Sequence, residues 1–68
     1  MNLNERLKLA RTKAELTQQE VAKELQVTQG TISKYESGEK QPSIEMLTKL
    51  IGLYEISADW LLETGMKK

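Results

Sequence analysis

A chain of 68 residues holds one domain and buries only roughly 60% of its unfolded surface, which leaves no room for a deep substrate cavity. It has no cysteine and no histidine, so disulfides, thiolate metal sites and histidine-based catalysis are excluded and packing alone must hold it together. Ten basic residues balance ten acidic ones, so any attraction to a polyanion must come from the distribution of charge rather than its sum.

Apolar residues recur at helical spacing and strand-like alternation is absent, so the expected fold class is all-α. The first helix is expected at about 3–14, with Leu3, Leu7, Ala10 and Ala14 on one face and Arg6, Lys8 and Lys13 on a solvated side. Thr17-Gln18-Gln19-Glu20 is a capping box. The threonine hydroxyl accepts from the backbone N–H three residues on, and the glutamate reaches back to the threonine N–H. It opens a short second helix, 18–25, with Val21, Ala22 and Leu25 inward. Thr28 is the N-cap of a third helix, 28–37, which turns Ile32 and Tyr35 inward and stops at Gly38, a residue suited to left-handed backbone.

After a polar loop, Ser43 caps a fourth helix, 43–54, whose positions Ile44, Leu47, Leu50, Ile51 and Tyr54 share an apolar face. Glu45 lies in its first turn, where the helix dipole favours a carboxylate. Ser57 caps a fifth helix, 57–64, carrying Trp60, Leu61 and Leu62 and ending at Gly65. Arg6, Lys8, Arg11 and Lys13 outweigh Glu5 at the start of the chain, whereas Glu45, Glu55, Asp59 and Glu63 outweigh Lys49 later on. One side is therefore suited to DNA, with weak non-specific binding, since that term scales with the phosphates neutralised. Residues 1–11 lack the apolar core of a signal peptide, and no run approaches a membrane span. The absence of cysteine fits a reducing cytoplasm.

Two short helices joined by a turn of about three residues form the unit that places a recognition helix in the major groove. Ala22 is small where two helix axes must approach, Val27 ties the turn to the core, and Ile32 pins the next helix by one face. Gln29, Gly30, Ser33 and Lys34 are left outside. The ordered residues Leu16-Thr17-Gln18-Gln19-Glu20-Val21-Ala22, Val27-Thr28-Gln29 and Ile32-Ser33-Lys34-Tyr35-Glu36-Ser37-Gly38 resemble the phage-repressor and Cro-type helix-turn-helix family, also called the Xre family. Pro42-Ser43-Ile44-Glu45-Met46-Leu47 and Ser57-Ala58-Asp59-Trp60-Leu61-Leu62 match its fourth and fifth helices, so the resemblance covers about residues 3–62.

The resemblance implies a compact five-helix, lambda-repressor-like DNA-binding domain, bacterial or phage-encoded and cytoplasmic. It further implies a regulator, most often a repressor, that binds double-stranded DNA as a homodimer. It places base contacts at Gln29, Thr31, Ser33 and Lys34, and phosphate contacts at Gln18, Thr28, Gly30, Lys40 and Gln41. Arg11 and Glu36 would form a structural ion pair, and the dimer interface would fall on the fifth helix, at Trp60, Leu61, Leu62 and Met66. Two positions depart from the pattern. Gln26 stands in the turn where glycine is usual, and Gly30 stands where a base-reading side chain is frequent. Neutral net charge and Gly30 also suit an interaction adaptor that keeps the fold without specific DNA binding, and an antitoxin, a restriction controller or the amino-terminal part of a longer repressor are further variants. An enzyme is disfavoured, because no nucleophile–base pair, glycine-rich phosphate loop or spaced carboxylate cluster is present, and no cofactor or metal is expected.

Overall fold

Asn2, Thr17, Thr28 and Ser43 each adopt extended backbone and accept a hydrogen bond from the N–H three residues later. Ser57 Oγ does the same for the Trp60 N–H at 3.0 Å. Each such cap satisfies a donor that the helix itself leaves free, worth about 1 kcal/mol. These caps open α1 (Leu3–Lys13), α2 (Gln18–Leu25), α3 (Gln29–Ser37), α4 (Ile44–Tyr54) and α5 (Ala58–Met66) in the computed structural model, which describes the backbone of residues 1–66 and the side chains of residues 1–62. No strand occurs among the described residues, and the all-α class is the one observed. The box at Thr17 has a twin at α1, where Asn2 and Glu5 cap each other's backbone.

Three of the connections are built the same way. Glu15, Gln26 and Glu55 each take left-handed backbone, with φ of 61°, 60° and 57°. The residue after each, Leu16, Val27 or Ile56, turns its N–H back onto the carbonyl five residues earlier, at Arg11, Ala22 or Ile51. This is the six-to-one closure of a Schellman motif, and the apolar side chain after the left-handed residue tucks against the core. The next residue is then the hydroxyl N-cap of the following helix, Thr17, Thr28 or Ser57. Polar, apolar, hydroxyl is thus the common pattern: Glu15-Leu16-Thr17, preceded by the C-cap Ala14, and Gln26-Val27-Thr28 and Glu55-Ile56-Ser57, which are the whole of their connections.

Every helix contributes to one core. Leu7 and Ala10 come from α1, Val21 and Ala22 from α2, Ile32 and Tyr35 from α3, Leu50 and Tyr54 from α4, and Leu61 from α5. The third helix, α3, packs on both α1 and α2, and α5 packs on α1.

Four expectations need correction. Ile44 is 82% exposed, because it is the first residue of α4 and a helical side chain leans back over the preceding turn, where no core lies. Leu61 is wholly buried, so its side chain has no surface to offer a second subunit. Gly65 does not stop α5, which runs on to Met66; glycine weakens a helix but ends one only where the backbone turns left-handed. Arg6 is not simply solvated. Its Nη1 donates to the Trp60 carbonyl at 2.8 Å and its guanidinium lies 5.0 Å from the indole centroid, joining α1 to α5.

A left-handed non-glycine residue costs roughly 1–2 kcal/mol, and a glycine costs roughly 0.5–1 kcal/mol of extra unfolded-chain entropy. Gln26→Gly is therefore expected to raise the melting temperature by a few degrees. Thermal unfolding followed by circular dichroism checks this, and an unchanged or lower midpoint would show that the turn carries no such cost.

Candidate nucleic-acid interface

The outward face of α3 follows from its inward one. With Ile32, Tyr35 and Glu36 buried, helical geometry leaves Gln29, Gly30, Ser33 and Lys34 exposed, and Thr31 half-buried at the edge. Thr31 turns back on its own cap: its N–H donates to Thr28 Oγ1 at 3.3 Å, and the two hydroxyls are 3.0 Å apart. Lys40 and Gln41 are exposed in the loop beyond α3, and the Lys40 N–H donates to the Lys34 carbonyl at 3.2 Å, which ties the loop to the helix end.

Glu36 is the buried polar residue of this region. Arg11 Nε donates to its Oε2 at 2.7 Å and Arg11 Nη2 to its Oε1 at 3.3 Å, so the two residues form a forked ion pair between α1 and α3. Their side chains are only 14% and 5% exposed. Arg11 Nη1 also donates to the Leu16 carbonyl at 2.7 Å, holding the first connection. Gln18 Nε2 supplies a third bond to the carboxylate, to Oε1 at 3.0 Å. Gln18 Oε1 in turn accepts from Gln29 Nε2 at 3.3 Å. A continuous line of hydrogen bonds therefore runs from α1 through α3 and α2 to the first residue of α3.

The carboxyl end of α3 is held separately. Asn4 Nδ2 donates to the Glu36 carbonyl at 3.3 Å. A Cβ at Gly38, whose φ is +86°, would lie 3.3 Å from the Asn4 side chain, so Gly38 serves both the left-handed turn and this close approach. Gly30 differs: a Cβ there would meet only Thr28 Oγ1, at 3.8 Å. Nothing among the described residues requires glycine at that position. Tyr54 lies near the ion pair, and its phenol is raised above the ordinary 10.0, first by burial and then by the charge of Glu36, with Arg11 offsetting part of the rise.

The structure thus gathers Gln18, Gln29, Arg11 and Glu36 into one network, and leaves Gly30, Ser33, Lys34, Lys40 and Gln41 exposed. On α5, Trp60 and Leu62 are half-buried, while the Met66 side chain lies outside the described residues. Asn4 and the bonds of Gln18 escape a sequence reading, because their partners lie 32, 18 and 11 residues away and no local spacing signals them.

A profile of the helix-turn-helix family matches residues 7–61. The chain is 44% identical over 62 residues to the HTH-type transcriptional regulator ImmR of Bacillus subtilis, across 91% of this chain and 49% of that protein. It is 39% identical over 61 residues to the cryptic phage CTXphi transcriptional repressor RstR of Vibrio cholerae, across 90% and 54%. It is 39% identical over 62 residues to the HTH-type transcriptional activator BcrR of Enterococcus faecalis, across 91% and 30%. The chain therefore spans about half the length, or less, of these relatives.

Removing the guanidinium from the Glu36 carboxylate leaves a buried charge without its cation. Arg11→Met is expected to cost about 3–5 kcal/mol of folding stability. Urea unfolding measures this, and a loss within the range of an ordinary surface substitution would show that the pair does not hold α3 in place.

Proposed function

The chain belongs to the helix-turn-helix family of transcriptional regulators, and on that premise we propose that it binds specific double-stranded DNA as a homodimer, in the cytoplasm, acting as a repressor on a palindromic operator. The observation that carries this reading is the exposed start of α3, where Gln29 is held by Gln18 yet keeps one N–H and its carbonyl oxygen free. An acceptor and a donor side by side match the N6 amino group and N7 of adenine, a bidentate contact worth about 1–3 kcal/mol of discrimination. Ser33 and Lys34 follow on the same exposed face, and Lys34 reaches either a guanine or a phosphate. Thr31, drawn back onto Thr28, contributes at the edge.

Phosphate contacts surround this reading head. The Gln18 amide has one N–H beyond the bond to Glu36, and Lys40 and Gln41 flank the far end of α3. The N-terminal amides of α2 and α3, around Gln18, Thr28 and Gly30, suit an anion, because their N–H groups lack intrahelical acceptors and the helix dipole adds to the attraction. Glycine at position 30 lets the backbone come close to the duplex, a use for which internal packing gives no competing reason.

One recognition helix of this size reads few base pairs, so two are needed. A two-fold dimer sets them in successive major grooves, roughly 34 Å apart. The surface proposed for pairing is α5, through Trp60, Leu62 and Met66, with Leu61 supporting it from within the core. The name of the repressor RstR favours repression, and that of BcrR marks activation as the other sign available to the fold.

Selection of bound duplexes from a randomised pool tests the reading. A palindrome with half-site centres about one helical turn apart, bound with an affinity that falls as salt rises, is the expected result. Recovery of no preferred sequence would overturn it, and the absence of salt-dependent binding would favour the adaptor reading. Two glycines sharpen the test. Gly52 lies within α4, and a Cβ there would meet nothing within 4 Å. Gly30→Ala and Gly52→Ala should each stabilise the fold by about 0.5–1 kcal/mol. Only Gly30→Ala should weaken DNA binding, by about tenfold, or roughly 1.4 kcal/mol; equal binding by both variants would remove Gly30 from the interface.

A further inference from the structure

The line of bonds from Glu36 to Gln29 has a direction, and that direction bears on which base is read. A carboxylate paired with a guanidinium only accepts hydrogen bonds. Glu36 Oε1 therefore requires the nitrogen of the Gln18 amide, and receives it at 3.0 Å. Gln18 must then turn its oxygen to Gln29, and Gln29 must answer with its own nitrogen, which it does at 3.3 Å. What Gln29 has left is an oxygen and one N–H, the complement of adenine. If both amides were reversed, Gln29 would accept from Gln18 and present two N–H groups outward, the complement of the O6 and N7 acceptors of guanine. The reversed state would set the Gln18 oxygen against the Glu36 carboxylate, acceptor against acceptor, within a largely buried site.

We infer that Glu36 is a specificity-determining residue: acting through Gln18, its carboxylate fixes the amide orientation of Gln29 and so selects adenine over guanine at the base Gln29 meets. Glu36 touches no DNA in this scheme and is a positioning residue. This role is separate from its ion pair with Arg11, which concerns where α3 sits rather than which way an amide points. The inference rests on the proposed DNA-binding function and on Gln29 as a base reader.

The experiment uses the duplex recovered from the randomised pool and its copies with guanine for adenine in each half-site. The position read by Gln29 is the one whose preference is lost in Gln29→Ala. The original chain is expected to favour adenine there by on the order of tenfold or more. Glu36→Gln removes the acceptor-only group while keeping its shape, and should bring the adenine-to-guanine ratio to within about threefold. Arg11→Lys weakens the same ion pair but keeps the carboxylate, and should retain the preference even if its melting temperature falls as far. Gln18→Met cuts the line without touching the ion pair. It should lose affinity for all duplexes and also lose the ratio, and it decides the matter if Glu36→Gln does not fold.

An unchanged ratio in Glu36→Gln, or in Gln18→Met where that variant decides, would overturn the inference. So would an equal loss in Arg11→Lys, which would trace the preference to the placement of α3. A preferred operator whose selection is indifferent to Gln29→Ala would likewise overturn it while leaving the DNA-binding reading intact. Recovery of no preferred operator by the original chain would instead be the failure of that reading.

Discussion

A carboxylate taken out of water must be met by donors, and in this protein meeting that demand organises three helices. Glu36 is nearly fully buried at the inner side of α3, and the groups that answer it are a guanidinium from α1 and an amide from α2. Apolar packing by Ile32 and Tyr35 brings α3 to the core without fixing its rotation or height to a fraction of an ångström. A forked ion pair does fix them, since its geometry is directional and its failure leaves a buried charge. The face of α3 that carries Gln29, Gly30, Ser33 and Lys34 points outward because Glu36 is anchored inward.

The anchoring is reinforced from both ends of α3. Asn4 bonds the Glu36 carbonyl and presses against Gly38, while Gln18 bonds both the Glu36 side chain and Gln29. A helix of nine residues is too short to be stable alone in water, so its order is a property of these tertiary contacts. The surface that remains is sparsely equipped, with Gly30 bare and Thr31 drawn back on Thr28. Zero formal net charge means that any attraction of this surface to a polyanion is local and not a property of the whole chain.

How much of this is legible in the sequence depends on how far each bond reaches along the chain. The caps at Thr17, Thr28, Ser43 and Ser57 and the stop at Gly38 are read directly, because an N-cap and its partner lie three residues apart. By the same rule Asn2 and Glu5 were readable, and so was the threefold recurrence of a polar, an apolar and a hydroxyl residue between helices. Glutamate and glutamine in left-handed backbone hide that recurrence, because glycine is the expected sign of such a turn. Ile44 shows where periodicity stops informing: it keeps the register of the α4 apolar face but sits where that face overhangs solvent. The Arg11 to Glu36 pair follows from a family resemblance and not from spacing, and the bonds of Gln18 and Asn4 follow from neither. They arise only when helices distant in sequence are packed side by side.

The three short connections differ from the rest of the structure in how far their bonds reach along the chain. Each closes its helix and caps the next through bonds spanning five residues or fewer, so these turns are built from local contacts, the kind that forms fastest in a chain. The seam between α1 and α5 is the opposite case. Its Arg6 to Trp60 bond joins residues 54 apart, and such a closure costs loop entropy. The docking of α5 on α1 therefore depends on tertiary contacts between the two ends of the chain, the buried Leu61 among them, and not on a local bond. A helix attached in this way closes the chain on itself, so that α1 and α5 share one seam.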